Sequence, residues 1–192
     1  MRIEPIDTQK DLFAVNDVID SDLIDRLRLD DLDSYKQTPQ LRQEFLPRRT
    51  IQEYNGSVLE DISNNIRSKL PHINSLLDTS YTQVLISYWR DLPGFEMSTH
   101  IDNPRIDIAM QIYLDAPDEN FGTVFYSATE SDVDEKDDIQ KWYLNNYDLP
   151  VRHTFKSLPN TGYLMFNNKL QAHGVPNIVE DKHRISCYCK FF

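Results

Sequence analysis

His100-Ile101-Asp102 sets an imidazole and a carboxylate two residues apart, and His173 adds a second imidazole far downstream. In an extended segment, residues two apart project to the same side. His100 and Asp102 can therefore grip one ion together while His173 reaches it from another strand. Two imidazoles and one carboxylate occupy one face of a metal ion and leave three coordination positions open, and these borderline-to-hard donors suit Fe(II), Mn(II) or Zn(II). Arg184-Ile185-Ser186 then supplies a permanently charged fork and a hydroxyl, a pair suited to holding a carboxylate. Zinc hydrolysis is the competing chemistry, but the chain has no His-Glu-x-x-His.

In a chain with 5 histidines and abundant aspartate, His-x-Asp alone is a weak signal. The order raises it: His-x-Asp, a distant His, then Arg-x-Ser. The other histidines stand in no comparable set. His72 follows Pro71 and reads as an exposed turn residue, His153 lies within a strand, and His183 points the opposite way from Arg184. Cys187 and Cys189, the only 2 cysteines, share one face of a strand that cannot bend enough to link them. They read as reduced core thiols and suit a cytoplasmic setting. Around them the faces divide cleanly. Arg184, Ser186, Tyr188 and Lys190 lie on one side; Ile185, Cys187, Cys189 and Phe191 lie on the other. Periodicity does not choose which side faces a ligand.

The elements that must position these residues follow from pattern. A strand is expected around Leu12-Phe13-Ala14-Val15, then a helix capped by Asp20 or Ser21 with a stripe at Leu23, Ile24 and Leu27. Residues 36–50, with Pro39, Pro47 and Arg48-Arg49, read as a loop. A second helix is expected from Ser57 to Leu70, closed by Pro71. From residue 81 the period changes to 2. Val84 to Trp89 and the strict alternation from Ile106 to Leu114 are strands, as are Phe121 to Tyr126, Val151 to Phe155, Gly162 to Phe166 and Ile185 to Phe191. Short strands with Pro, Asn and Asp turns indicate a sandwich or open barrel. The acidic run Glu130 to Asp138 reads as a solvated loop, with Trp142 and Tyr143 after it as core residues, the sharper alternative being a lid anchored by those two rings.

Length and composition set the outer bounds. The 192 residues, 40% of them apolar, fit a single domain over 1–192. Within it, 1–80 is expected to be a helical buttress and 81–192 a β core. A net charge of -11 argues against nucleic acid and against an anionic membrane surface, since both need a basic footprint. There is no signal peptide pattern and no long apolar stretch. Nothing in the sequence sets an oligomeric state.

The segment His100-Ile-Asp102-Asn103-Pro104, with the following Tyr113-Leu114-Asp115, resembles the Fe(II)/2-oxoglutarate-dependent dioxygenase superfamily, in its prolyl-hydroxylase-like branch. Asn120-Phe121-Gly122-Thr123-Val124-Phe125, Gln171-Ala172-His173-Gly174-Val175 and Arg184-Ile-Ser186 are similar to further segments of that branch. Asn120 and Phe121 stand where it often has Gly-Gly, and the stretch from Asn103 to Asp107 is short. The resemblance covers about 81–192. It implies a mainly β fold with N-terminal helices: a double-stranded β-helix, a cupin-like jelly roll. It also implies Fe(II) held by His100, Asp102 and His173, with 2-oxoglutarate as cosubstrate and O2 as oxidant. Arg184, Ser186 and Tyr113 would meet the far carboxylate of the cosubstrate, with Tyr88 a weaker match. The implied activity is hydroxylation of a C–H bond, in a prolyl or other amino-acid residue or a small molecule, with release of succinate and CO2. The alternatives are a non-catalytic cupin-like module that binds a small molecule or metal, a nucleic acid demethylase, which the charge disfavours, and a zinc hydrolase.

Overall fold

Alternation along one strand explains most of the architecture. In the segment Ile108–Asp115, Ile108, Met110, Ile112 and Leu114 point one way and Ala109, Gln111 and Tyr113 the other, yet both sets are buried. A strand buried on both faces needs a layer on each side. A computed structural model of the chain supplies both. It describes residues 1–29, 37–39, 48–52, 57–115, 118–136, 141–176, 178 and 183–192.

In chain order the elements are β1 (Arg2–Pro5), β2 (Leu12–Asn16), α1 (Ser21–Leu29), β3 (Gln37–Pro39), β4 (Arg49–Gln52), α2 (Val58–Ser68), α3 (Leu70–Leu77), β5 (Val84–Asp91), β6 (Met97–His100), β7 (Ile108–Asp115), β8 (Val124–Tyr126), β9 (Val133–Lys136), β10 (Lys141–Leu144), β11 (Val151–Thr154), β12 (Thr161–Phe166), β13 (His173–Val175) and β14 (Arg184–Phe191). The larger sheet runs β1-β2-β12-β7-β14-β5-β4-β3, and a four-stranded sheet runs β11-β8-β13-β6. From β5 onward the chain passes between these two sheets in jelly-roll order, leaving β9 and β10 as a separate hairpin. Every pairing is antiparallel.

The helices cover the outer face of the larger sheet. Leu23, Ile24 and Leu27 of α1, with Leu59, Ile62 and Ile66 of α2, form one apolar cluster with Ile108, Met110, Ile112, Cys187 and Cys189. The other face turns toward the smaller sheet and packs Tyr113, Tyr163, Met165 and Tyr188 against Phe125 and Phe155. This settles the two faces of β14. Its cysteines face the helices as buried thiols, Sγ to Sγ 3.7 Å. Arg184, Ser186, Tyr188 and Lys190 face the interior of the roll.

The region 1–80 is more than a helical buttress. β1 and β2 extend one edge of the larger sheet and β3 and β4 the other. The expected loop 36–50 therefore contains strand, where it is described. Pro71 does not end the helical region. It sits in the first turn of α3, where its missing N–H costs nothing, and His72 is an exposed residue of that helix. The acidic run folds as a 3-10 turn over Glu130–Asp132 and then β9, paired with β10; residues 137 and 138 of that run lie outside the described residues. Among the described residues, no helix is long and apolar enough to cross a membrane.

Candidate metal centre

β6 ends at His100 and β13 begins at His173, and the antiparallel register sets these two residues opposite each other. Gly174 makes this approach feasible. A Cβ there would stand 2.8 Å from the Met97 carbonyl oxygen, so any larger residue pushes β13 off β6. Asp102 follows in the loop after β6. The amide of Asn167 steadies that loop by donating to the carbonyls of Asn103 (2.8 Å) and Ile106 (2.9 Å).

The three residues converge. One ligand atom from each of His100, Asp102 and His173 lies within 4.8 Å of the others, the one such group of three among the described residues. Each imidazole is tied through Nδ1 to a backbone carbonyl: His100 to Ser98 at 3.0 Å and His173 to Gln171 at 2.9 Å. A carbonyl can only accept, so Nδ1 carries the proton and Nε2 presents a lone pair, the usual orienting device of metal-binding histidines. Tyr188 donates to Asp102 Oδ2 at 2.6 Å, which leaves Oδ1 facing His100 Nε2 at 3.7 Å. The Tyr188 ring is itself fixed by stacking on Trp89, centroids 4.5 Å apart. His173 stacks on Phe125.

The electrostatics agree with metal binding. Burial, and then the facing His173, lower the His100 pKa to about 4 against the pull of Asp102. No proton therefore competes for Nε2 at neutral pH. Burial raises the Asp102 pKa, but His173, His100 and the Tyr188 hydrogen bond outweigh it, and the net shift is downward. Burial and the neighbouring Asp102 push the Tyr188 phenol well above its ordinary value, so it stays a donor. Two imidazoles, one carboxylate and no fourth protein ligand among the described residues fit a divalent ion that keeps open positions.

The triad borders a cavity of about 580 Å³, within the size range of small-molecule sites. Its wall includes Arg49, Trp89, Gln111, Tyr163, Tyr188 and Lys190 from the larger sheet, and Lys141, Trp142 and Tyr143 from β10. Trp142 and Tyr143 thus line the cavity instead of belonging to the core, and the acidic hairpin stands at its side.

The residues expected to meet a cosubstrate carboxylate are placed differently. Tyr88 is corrected outright: with Val84 and Ile86 it faces the helices, where its hydroxyl donates to the Leu59 carbonyl at 2.7 Å and meets Ser63 Oγ at 2.8 Å. Arg184, Ser186 and Tyr113 do face the interior, but none of them is on the cavity wall. Tyr113 donates to Thr123 Oγ1 and accepts from the Thr123 amide, both at 2.9 Å. Ser186 accepts from Gln111 Nε2 at 3.0 Å. Arg184 is fully buried, with Nε and Nη2 on Asp91 and Nη1 on the Phe121 carbonyl. Sequence reasoning missed Arg49, Tyr188 and Asn167. The face shared with Arg184 was a signal for Tyr188; nothing local marked the other two.

No family model matches the sequence, and no curated protein does. The fold is the double-stranded β-helix of 2-oxoglutarate- and Fe(II)-dependent oxygenases, here carrying a His-x-Asp…His triad. Among solved structures, the chain is similar to a Pseudomonas putida prolyl-4-hydroxylase, with TM-score 0.61, 13% identity, and 94% of this chain and 91% of that one covered. It is similar to HygX from Streptomyces hygroscopicus, solved with nickel and 2-oxoglutarate bound (TM-score 0.61, 10% identity, 94% and 82% covered). It is also similar to the epimerase SnoN in complex with Fe3+, alpha ketoglutarate and nogalamycin RO (TM-score 0.65, 12% identity, 95% and 78% covered).

Proposed function

We propose that this chain is an Fe(II)- and 2-oxoglutarate-dependent oxygenase that hydroxylates a C–H bond of a small molecule, a peptide or a protein side chain. The observation that carries the reading is the convergence of two oriented Nε2 lone pairs and one ionised carboxylate oxygen on the wall of an aromatic-lined cavity. His100, Asp102 and His173 would hold the iron. With 2-oxoglutarate and O2, bound Fe(II) supplies the oxidising power to break a C–H bond, with succinate and CO2 released.

The protein's own part is position and environment. Tyr188 keeps Asp102 turned and ionised. Trp89, Trp142 and Tyr143 line the cavity with aromatic rings, which give an apolar wall for a substrate segment and keep bulk water from the reacting bond. Ser186 and Tyr113 act from behind the wall. Ser186 fixes Gln111, which also accepts from the Tyr163 hydroxyl at 2.9 Å. A second outcome, epimerisation at a C–H centre, starts from the same hydrogen removal, and SnoN is an epimerase on this fold.

The test is a succinate-release screen over peptides, free amino acids and small metabolites with Fe(II), with products read by mass spectrometry. A gain of one oxygen supports hydroxylation, and an unchanged mass with succinate release supports epimerisation. Metal binding without any binding of 2-oxoglutarate or N-oxalylglycine would reduce the chain to a cupin-like binding module.

A further inference from the structure

Arg49, Asp91 and Arg184 form one row across three adjacent strands. The register puts Arg49 of β4 and Arg184 of β14 both opposite Asp91 of β5. All three are buried, with exposures of 1%, 0% and 0%. Asp91 is the one carboxylate that either guanidinium touches among the described residues. Two fixed cations therefore share one anion, and the row keeps one positive charge with no counter-charge among the described residues. Buried charge without a counter-charge is costly, which calls for an anion from elsewhere.

The two arginines are not equivalent. Arg184 has spent Nε, Nη1 and Nη2 on Asp91 and the Phe121 carbonyl and does not line the cavity. Arg49 spends Nε and Nη2 on Asp91, while Nη1 has no hydrogen-bond partner among the described residues, and the side chain lies on the cavity wall. Arg49 is also held as a rigid plate. Its guanidinium carbon sits 4.1 Å from the Trp89 ring centre and 4.3 Å from that of Phe95. Aromatic faces on a planar cation fix its orientation without using its N–H groups. Arg49 lines the same cavity as His100, Asp102 and His173.

We propose that Arg49, from a strand outside the jelly-roll core, anchors a carboxylate of the cavity's ligand, and that Arg184 with Asp91 is the buried strut behind it. The inference rests on the oxygenase reading only in naming that ligand as a 2-oxo dicarboxylic acid. The match is chemical: a 2-oxo acid end for the metal, and a far carboxylate for a guanidinium with a free N–H and an unpaired charge.

The experiment is calorimetric titration of the Mn(II)-loaded full chain with 2-oxoglutarate and with 2-oxobutyrate, which lacks the far carboxylate. Wild type is expected to prefer 2-oxoglutarate by at least about tenfold. Arg49→Gln leaves Asp91 and Arg184 as a neutral pair. It should weaken 2-oxoglutarate by about 10- to 100-fold, the span of a charge-assisted hydrogen bond, and bring it level with 2-oxobutyrate while Mn(II) affinity is unchanged. Arg184→Gln leaves Asp91 paired with Arg49 and should keep most of the preference. If Arg49→Gln does not fold, Arg49→Lys keeps the charge but has no second nitrogen to offer past Asp91, and it should still lose about tenfold. A folded Arg49 variant with the wild-type preference, or its loss in Arg184→Gln alone, would overturn the proposal. If wild type binds Mn(II) and neither acid, the oxygenase reading fails first, a result distinct from any variant's.

Discussion

Tyr188→Phe removes a single O–H from the wall of the metal centre and little else. The ring that stacks on Trp89 at 4.5 Å is retained, so packing and fold stability should change little. What is lost is the donor to Asp102 Oδ2 at 2.6 Å. Hydrogen bonds to charged groups contribute about 1.5–3 kcal/mol. The Asp102 side chain keeps 18% exposure, so water replaces part of the interaction and the low end applies. A loss of about 1.5 kcal/mol is about tenfold in affinity. The same bond helps keep Asp102 ionised, so metal binding should also fail at a higher pH in the variant than in wild type. Competition for Mn(II) against a fluorescent chelator, repeated across pH, reads both effects, and a thermal melt confirms the fold. A folded variant that holds Mn(II) within twofold of wild type across that range would show that Tyr188 does not orient the ligand.

Asp91→Asn leaves two buried guanidiniums without a counter-charge among the described residues. Breaking a buried pair costs about 3–5 kcal/mol, so urea unfolding should show a loss at or above the top of that range, out of a typical total of about 5–15 kcal/mol. Burial pushes the Asp91 carboxyl up, but Arg49 and Arg184 pull it down further, and the folded value lies below the ordinary one. Its stabilisation is therefore complete above the usual carboxylate range and is lost as pH falls through the depressed value. The gap between wild type and variant should be widest near neutrality and narrow in acid; a gap constant with pH would contradict this. Gly174→Ala forces β13 away from the Met97 carbonyl and should cost about 1–3 kcal/mol of stability and at least tenfold in Mn(II) affinity. Unchanged metal binding there would mean that the β6–β13 spacing does not set the site.

Periodicity carried the β core because a strand's pattern is local: Ile108 to Leu114 alternate on the strand itself, whatever packs on either side. The triad was legible for the same reason, since residue type and order survive in the sequence even when the partners are far apart. Tyr88 failed because alternation fixes only that it opposes Trp89 across the strand, and the helices, not the cavity, took its face. Pro71 failed because a proline that ends one helix is equally comfortable in the first turn of the next. The acidic run looked like a loop because like charges stay wet, but they can also stay wet on a β-hairpin, whose β10 brings Trp142 and Tyr143 to the cavity wall.

Arg49 shows where local reading stops. Flanked by Pro47 and Arg48, it has the composition of a surface loop, and an isolated arginine is an exposed residue more often than not. Its burial depends on Asp91, 42 positions away, and on two rings, Trp89 and Phe95, that no spacing rule links to it. Arg184 carries the opposite lesson. Its motif position suggested a ligand contact, yet the sheet register gives it Asp91 before any ligand arrives. A motif names the residue type a site needs, but the count of its committed donors decides whether that residue is free to act. By that count the cavity's anion falls to Arg49.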